Sequence, residues 1–139
     1  MLLFFGVAGA GIIRMTLPGF EQWTVGIHQR GVTRSLAAWG SEYSQITNDV
    51  SAIRAAEMVG YIHSYYVPGP GYRGPLEIEV ALEGQRRESM GRIVASLERY
   101  TGRNYGTNVK RWMEWVERRK GGEPDAAANR DQPNRAGPN

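Results

Sequence analysis

An apolar stripe as wide as a whole domain constrains this chain more than any other feature of its sequence. Leu36, Trp39, Tyr43, Ile46, Val50 and Ile53 recur at steps of three and four, the spacing of one helical face. Ala56, Val59, Ile62 and Tyr66 carry the stripe on toward Pro68. One unbroken helix over this stretch, about 32 residues, would be about 48 Å long. A domain built from 139 residues is only about 30–35 Å across. The stripe therefore predicts one of two outcomes. Either the helix breaks, with Gly40, Asn48-Asp49 or Gly60 as candidate positions, or it leaves its own domain and is covered by other chains. Thr33 or Ser35 is placed to cap its start.

Punctuation divides the rest of the chain. Gly19, Gly26 and Gly31 make residues 19–34 read as a linker, with a short strand after Trp23 as a weaker option. The run from Val67 to Pro75 is too rich in proline and glycine for regular structure. Pro75 opens the next helix, and Glu77, Glu79 and Glu83 sit near its start, where negative charge suits the helix dipole. Leu76, Val80, Met90, Ile93, Val94 and Leu97 are its expected buried face. Its centre, Gly84 to Ser89, is polar all round, which predicts exposure or a position across a partner. After a turn through Gly102 and Gly106, Thr107 or Asn108 caps a last helix with a stripe of Val109, Trp112, Met113 and Val116. Glu123 to Asn139 carries no large apolar side chain and is expected to be disordered or held only by a partner. The expected fold is mainly α, a few-helix bundle or helical hairpin. Its divisions are an apolar segment at 1–18, a linker at 19–34, a helical domain at 35–120 and a flexible tail at 121–139.

Met1 to Ile13 is uncharged and apolar, and Arg14 closes it. It is shorter than the roughly 20 residues of a membrane-spanning helix. A secretory signal with Ala8-Gly9-Ala10 as its cleavage site, a short membrane anchor, and a strand or helix of the core all remain open. A signal normally starts with basic residues, and none precedes this run. The expectation drawn from it is membrane association through residues 1–18, with the body on the extracytoplasmic side. Arg14, Arg30 and Arg34 argue for the opposite side.

Composition removes several chemistries. The chain has no cysteine, which excludes disulfides, thiolate metal sites and cysteine nucleophiles. His28 and His63 are its only histidines, and neither lies at metal-ligand spacing from another donor. Gly69, Gly71 and Gly74 match a dinucleotide fingerprint literally, but a helix precedes them and Pro70 interrupts them, so no nucleotide site is read there. No serine sits in a nucleophile elbow. Net charge is +3, and all of the 17 basic residues except Lys110 and Lys120 are arginine. Acidic residues interleave with them, so no basic stripe for nucleic acid forms. The expectation is a non-enzymatic protein without metal or cofactor.

The stretch Leu97-Glu98-Arg99-Tyr100-Thr101-Gly102-Arg103-Asn104-Tyr105-Gly106, followed by Trp112 and Trp115, resembles an ending found near the C-termini of helical, often HEAT-repeat-bearing, exported bacterial proteins. The resemblance covers about twenty residues and implies a scaffold-type packing motif. In it Gly102 and Gly106 permit a tight turn, and Tyr105 and the tryptophans lock that turn. It implies no active site. Trp112 belongs to the helical stripe, whereas Trp115 projects roughly 60° from its centre, toward the edge or solvent. Trp115, Trp39, Tyr43 and Tyr105 are accordingly the candidate partner-binding residues. The expected role is a structural or accessory subunit docking on protein subunits of a larger, membrane-associated assembly, such as a photosynthetic or respiratory complex. The alternatives are a free exported helical protein-binding module and, more weakly, an arginine-driven nucleic-acid binder.

Overall fold

The computed structural model describes residues 18–67, 69 and 73–122. The apolar front segment and the expected tail from Glu123 lie outside the described residues. Four helices follow in order: α1 (Pro18–Glu42), α2 (Asp49–Ser64), α3 (Leu76–Thr101) and α4 (Val109–Lys120).

The long stripe breaks at the second of its three candidate positions. α1 stops at Glu42, and Asn48 starts α2 through a reciprocal cap. The Ser51 amide donates to Asn48 Oδ1 at 2.9 Å, and the Asn48 amide donates to Ser51 Oγ at 3.0 Å. These bonds satisfy amides that the first turn leaves without helical partners. Asn48→Ala is expected to lower stability by about 1 kcal/mol in urea denaturation.

The expected linker is helix. Residues 19–34 belong to α1, and the hydroxyls expected to cap a later start bond backward instead. Thr33 Oγ1 donates to the Gln29 carbonyl at 2.9 Å and Ser35 Oγ to the Gly31 carbonyl at 3.3 Å. Packing against α3 outweighs the weak helix propensity of the glycines. Val25, Gln29, Val32 and Leu36 form the buried face, and the polar Gln29 in its middle hides the stripe from a hydropathy reading.

α1 and α3 run parallel, since Gly26 lies against Pro75 and Ile78 while Gly40 lies against Ser89. The two backbones come close at that second pair. A Cβ on Gly40 would stand 2.9 Å from the Ser89 Cα. Ser89 Oγ donates to the Leu36 carbonyl at 2.8 Å, so the crossing is also hydrogen-bonded. Gly40→Ala forces the helices apart and is expected to cost about 1–3 kcal/mol, read as a lowered melting temperature.

The polar centre of α3 lies across its neighbours within the chain. Its buried face runs through Leu82, Arg86, Ser89, Met90, Ile93, Val94, Leu97 and Thr101. Leu76 and Val80, expected on that face, are 75% and 63% exposed. Arg86 explains the offset. Its guanidinium donates to the carbonyls of Ile62, of Tyr65 at 2.7 Å and of Tyr66 at 3.0 Å, and its Nε to Glu83 at 3.1 Å. It thereby satisfies carbonyls at the C-terminal end of α2 that have no helical partner. It also holds Tyr66, whose φ of 48° is left-handed backbone that a side chain other than glycine resists.

The turn after α3 follows the glycine spacing. Gly102 and Gly106 take positive φ, 67° and 53°. Glu98 Oε1 accepts the Gly106 amide at 2.8 Å, and Asn108 caps α4 by accepting the Arg111 amide. Trp112, Trp115 and Val116 then join one core with Leu36, Val59, Ile62, Ile93 and Leu97. α2 lies between α3 and α4 in that core, touching both.

The membrane expectation is corrected. Among the described residues no helix is long and apolar enough to cross a membrane. Residue 18 opens α1, which packs on α3 and carries Arg30 and Arg34, charges that a span would have to desolvate. Membrane association through residues 1–18, and the extracytoplasmic placement built on it, are therefore withdrawn.

Candidate functional site

The exposed side of α2 carries a second stripe beside the buried one. Arg54, Met58, Tyr61 and Tyr65 recur at steps of three and four, off the face that holds Ala52, Ala55, Val59 and Ile62. With Tyr43 from the end of α1 and Glu57, the first three of these line a depression of about 310 Å³. Trp39 of α1 buttresses it. Its ring meets Tyr61 and Tyr65 edge-on at centroid distances of 5.5 and 5.1 Å, and Tyr61 and Tyr65 lie 5.1 Å apart. Such pairs hold rings in place beyond the effect of area burial. Tyr61 is nonetheless 48% exposed.

Charge around this groove is uneven. Lys120 at the end of α4 reaches Glu57 at 2.6 Å, and that hydrogen bond to the carboxylate holds the ammonium protonated above its usual range. Glu57 is thus neutralised from the α4 side. Among the described residues, no hydrogen bond or ion pair engages Arg54. A planar cation lining one depression with two tyrosines and a methionine can pair with a carboxylate that stands next to an apolar side chain.

Close by, the end of α3 is tied to the start of α2. The Tyr100 hydroxyl donates to Asp49 Oδ1 at 2.9 Å, and Arg119 Nη2 lies 3.7 Å from the same oxygen. The bond to Asp49 is the main reason the Tyr100 hydroxyl keeps its proton above the ordinary phenol range, with burial adding to it.

The four candidate partner residues separate into two places. Trp39 and Tyr43 stand at the groove. Tyr105 and Trp115 stand at the α3–α4 corner, each against Trp112, with centroids 4.9 and 6.1 Å away. Trp115 is not at the edge. It is 2% exposed, with the Arg119 guanidinium 5.8 Å from its ring centroid. A stripe defined by the apolar residues of α4 alone misplaces it, because core wraps this short helix on a wider arc than one stripe. Tyr61, Tyr65, Arg54 and Met58 escaped the sequence reading because the stronger buried stripe on α2 drew attention from the weaker one beside it.

His63 is exposed on α2, and His28 makes an edge contact with Tyr66 at 5.1 Å. Among the described residues no group of three or more His, Asp or Glu side chains converges. Comparison with protein-family models, curated proteins and solved structures gives no match.

Proposed function

We propose that this chain is a small helical protein-binding module whose contact surface is the aromatic groove on α2. The observation that carries this reading is Tyr61, a large ring left 48% exposed although Trp39 and Tyr65 fix its position. A rigid, part-exposed tyrosine next to a methionine and an arginine without an acidic partner among the described residues has the composition of an interface hot spot. Its role is recognition and not turnover. An accessory subunit of a larger assembly would use the same surface.

The test places a photo-crosslinking amino acid at position 61 and, as control, at position 80 on the outer side of α3, in the cell that makes the protein. One defined protein product at position 61, absent at position 80, is the expected result. Equal products at both positions, or none at position 61, count against the groove as the contact surface.

A further inference from the structure

We infer, on the basis that the groove on α2 is a contact surface, that its partner is an extended protein segment carrying an acidic residue two positions from an apolar one. Charge on this side of α2 is set by α4. The two helices run antiparallel, since Val109 and Met113 lie at Gly60 while Arg119 lies at Asp49. That direction brings the last cations of α4 to the carboxylates of α2. Arg119 stands 3.7 Å from Asp49, which also accepts the Tyr100 hydroxyl, and Lys120 stands 2.6 Å from Glu57.

Arg54 is the group this arrangement leaves over. Glu57 lies three residues beyond it, a spacing at which helical ion pairs form. Lys120 holds Glu57 instead, and among the described residues Arg54 has no hydrogen bond or ion pair. Arg54 and Glu57 are the two charged residues that line the depression, so its uncompensated charge is positive. A guanidinium offers a planar fork of donors that matches a carboxylate, and the complementary group on a partner is therefore acidic.

Geometry sets the spacing. Met58, half-buried like Tyr43, lies one turn beyond Arg54, about 6 Å along the helix. A thioether between two tyrosines adapts to aliphatic and aromatic side chains alike. In an extended chain, side chains two positions apart share a face and stand about 6.6 Å from one another. One of them reaches Arg54 while the other meets Tyr43, Met58 and Tyr61. A volume of about 310 Å³ is small for a ligand pocket and suits such a pair. A helix seated in a groove places anchors over two turns and needs more room.

The test is a selection of randomised peptides on wild type, Arg54→Glu and Tyr61→Ala, each as the full chain. The peptides are displayed as internal segments, so no free chain end competes. Arg54 is exposed, and its replacement leaves the fold in place. On wild type, Asp or Glu two positions from an apolar residue is expected to be enriched about fivefold, the upper end for an exposed ion pair. On Arg54→Glu the preference at that position is expected to pass to Lys or Arg. Three results would overturn the inference: the same acidic preference on Arg54→Glu, enriched peptides without an acidic preference, and acidic and apolar residues spaced three or four apart, which assigns a helical partner. Peptides enriched on wild type, lost on Tyr61→Ala and indifferent to charge leave the groove as a contact surface and remove only its acidic partner. Identical selections on wild type and Tyr61→Ala, or no selection on either, remove the groove and the acidic segment together.

Discussion

Trp112→Ala and Trp115→Ala are each expected to lower the unfolding free energy by about 3–5 kcal/mol, the range for truncating a buried aromatic side chain. Both indoles are buried, at 0% and 2% exposure, and they meet edge-on. Trp112 also donates from Nε1 to the Gly106 carbonyl at 2.8 Å, and Tyr105 closes over it. Its loss therefore opens a cavity and also frees the turn that joins α3 to α4. Trp115 supports the same corner from the other side, under the Arg119 guanidinium. Domains of this size have only about 5–15 kcal/mol in total. Either variant should thus unfold at markedly lower urea concentration, and the double variant should fail to fold at 37 °C. A Trp115→Ala protein with the wild-type urea midpoint would show that the α4 corner is loosely packed.

Arg86→Met is expected to cost about 3–5 kcal/mol, since removing one partner of a buried charged network leaves the others without compensation. Three backbone carbonyls, of Ile62, Tyr65 and Tyr66, converge on this one guanidinium. Arg86→Lys should recover little, because an ammonium on a flexible stem cannot serve three oxygens in the fork geometry of a guanidinium. At about 4–8 °C per kcal/mol for a domain of about 100 residues, the loss corresponds to a melting temperature at least 12 °C lower. The effect should also be local in a readable way. Tyr65 stands on Trp39 and Tyr61, so freeing its backbone loosens the groove before the core. Hydrogen exchange should rise first at residues 62–67. Wild-type exchange there in Arg86→Met would mean that those carbonyls do not depend on the arginine.

These two sites mark the limits of what sequence shows. The turn between α3 and α4 was legible, since glycines at 102 and 106 and the stripe from Val109 to Val116 are local signals. The break at Asn48 was legible as one of three options, because a side-chain cap is written in adjacent residues. The start of α1 was not. Its buried stripe contains Gln29, and Gly26 and Gly40 find their use only once α3 and the residue before it are packed against them. Arg86 was invisible for the same reason. An arginine in a polar run reads as solvated until the end of α2, more than twenty residues earlier, is brought against it. Leu76 and Val80 then follow its register outward, although their own hydropathy points inward. The groove was half legible. Trp39 and Tyr43 stood out as aromatics, but Tyr61 and Arg54 joined them only once both helices pack on α3 and the Trp39 ring meets Tyr61.

The most direct measurement of the central claim, that the groove on α2 is a protein-binding surface, is a calorimetric titration. The protein captured from position 61 is purified and titrated into wild type, Tyr61→Ala and Val80→Ala, with each melting temperature recorded beside the affinity. Tyr61→Ala is expected to weaken binding about 30-fold or more, which is about 2 kcal/mol, as truncated hot-spot aromatics do. Its melting temperature should stay within a few degrees of wild type, since Tyr61 is half exposed. Val80→Ala should change neither quantity. Equal affinities for wild type and Tyr61→Ala, at equal stability, would contradict the account.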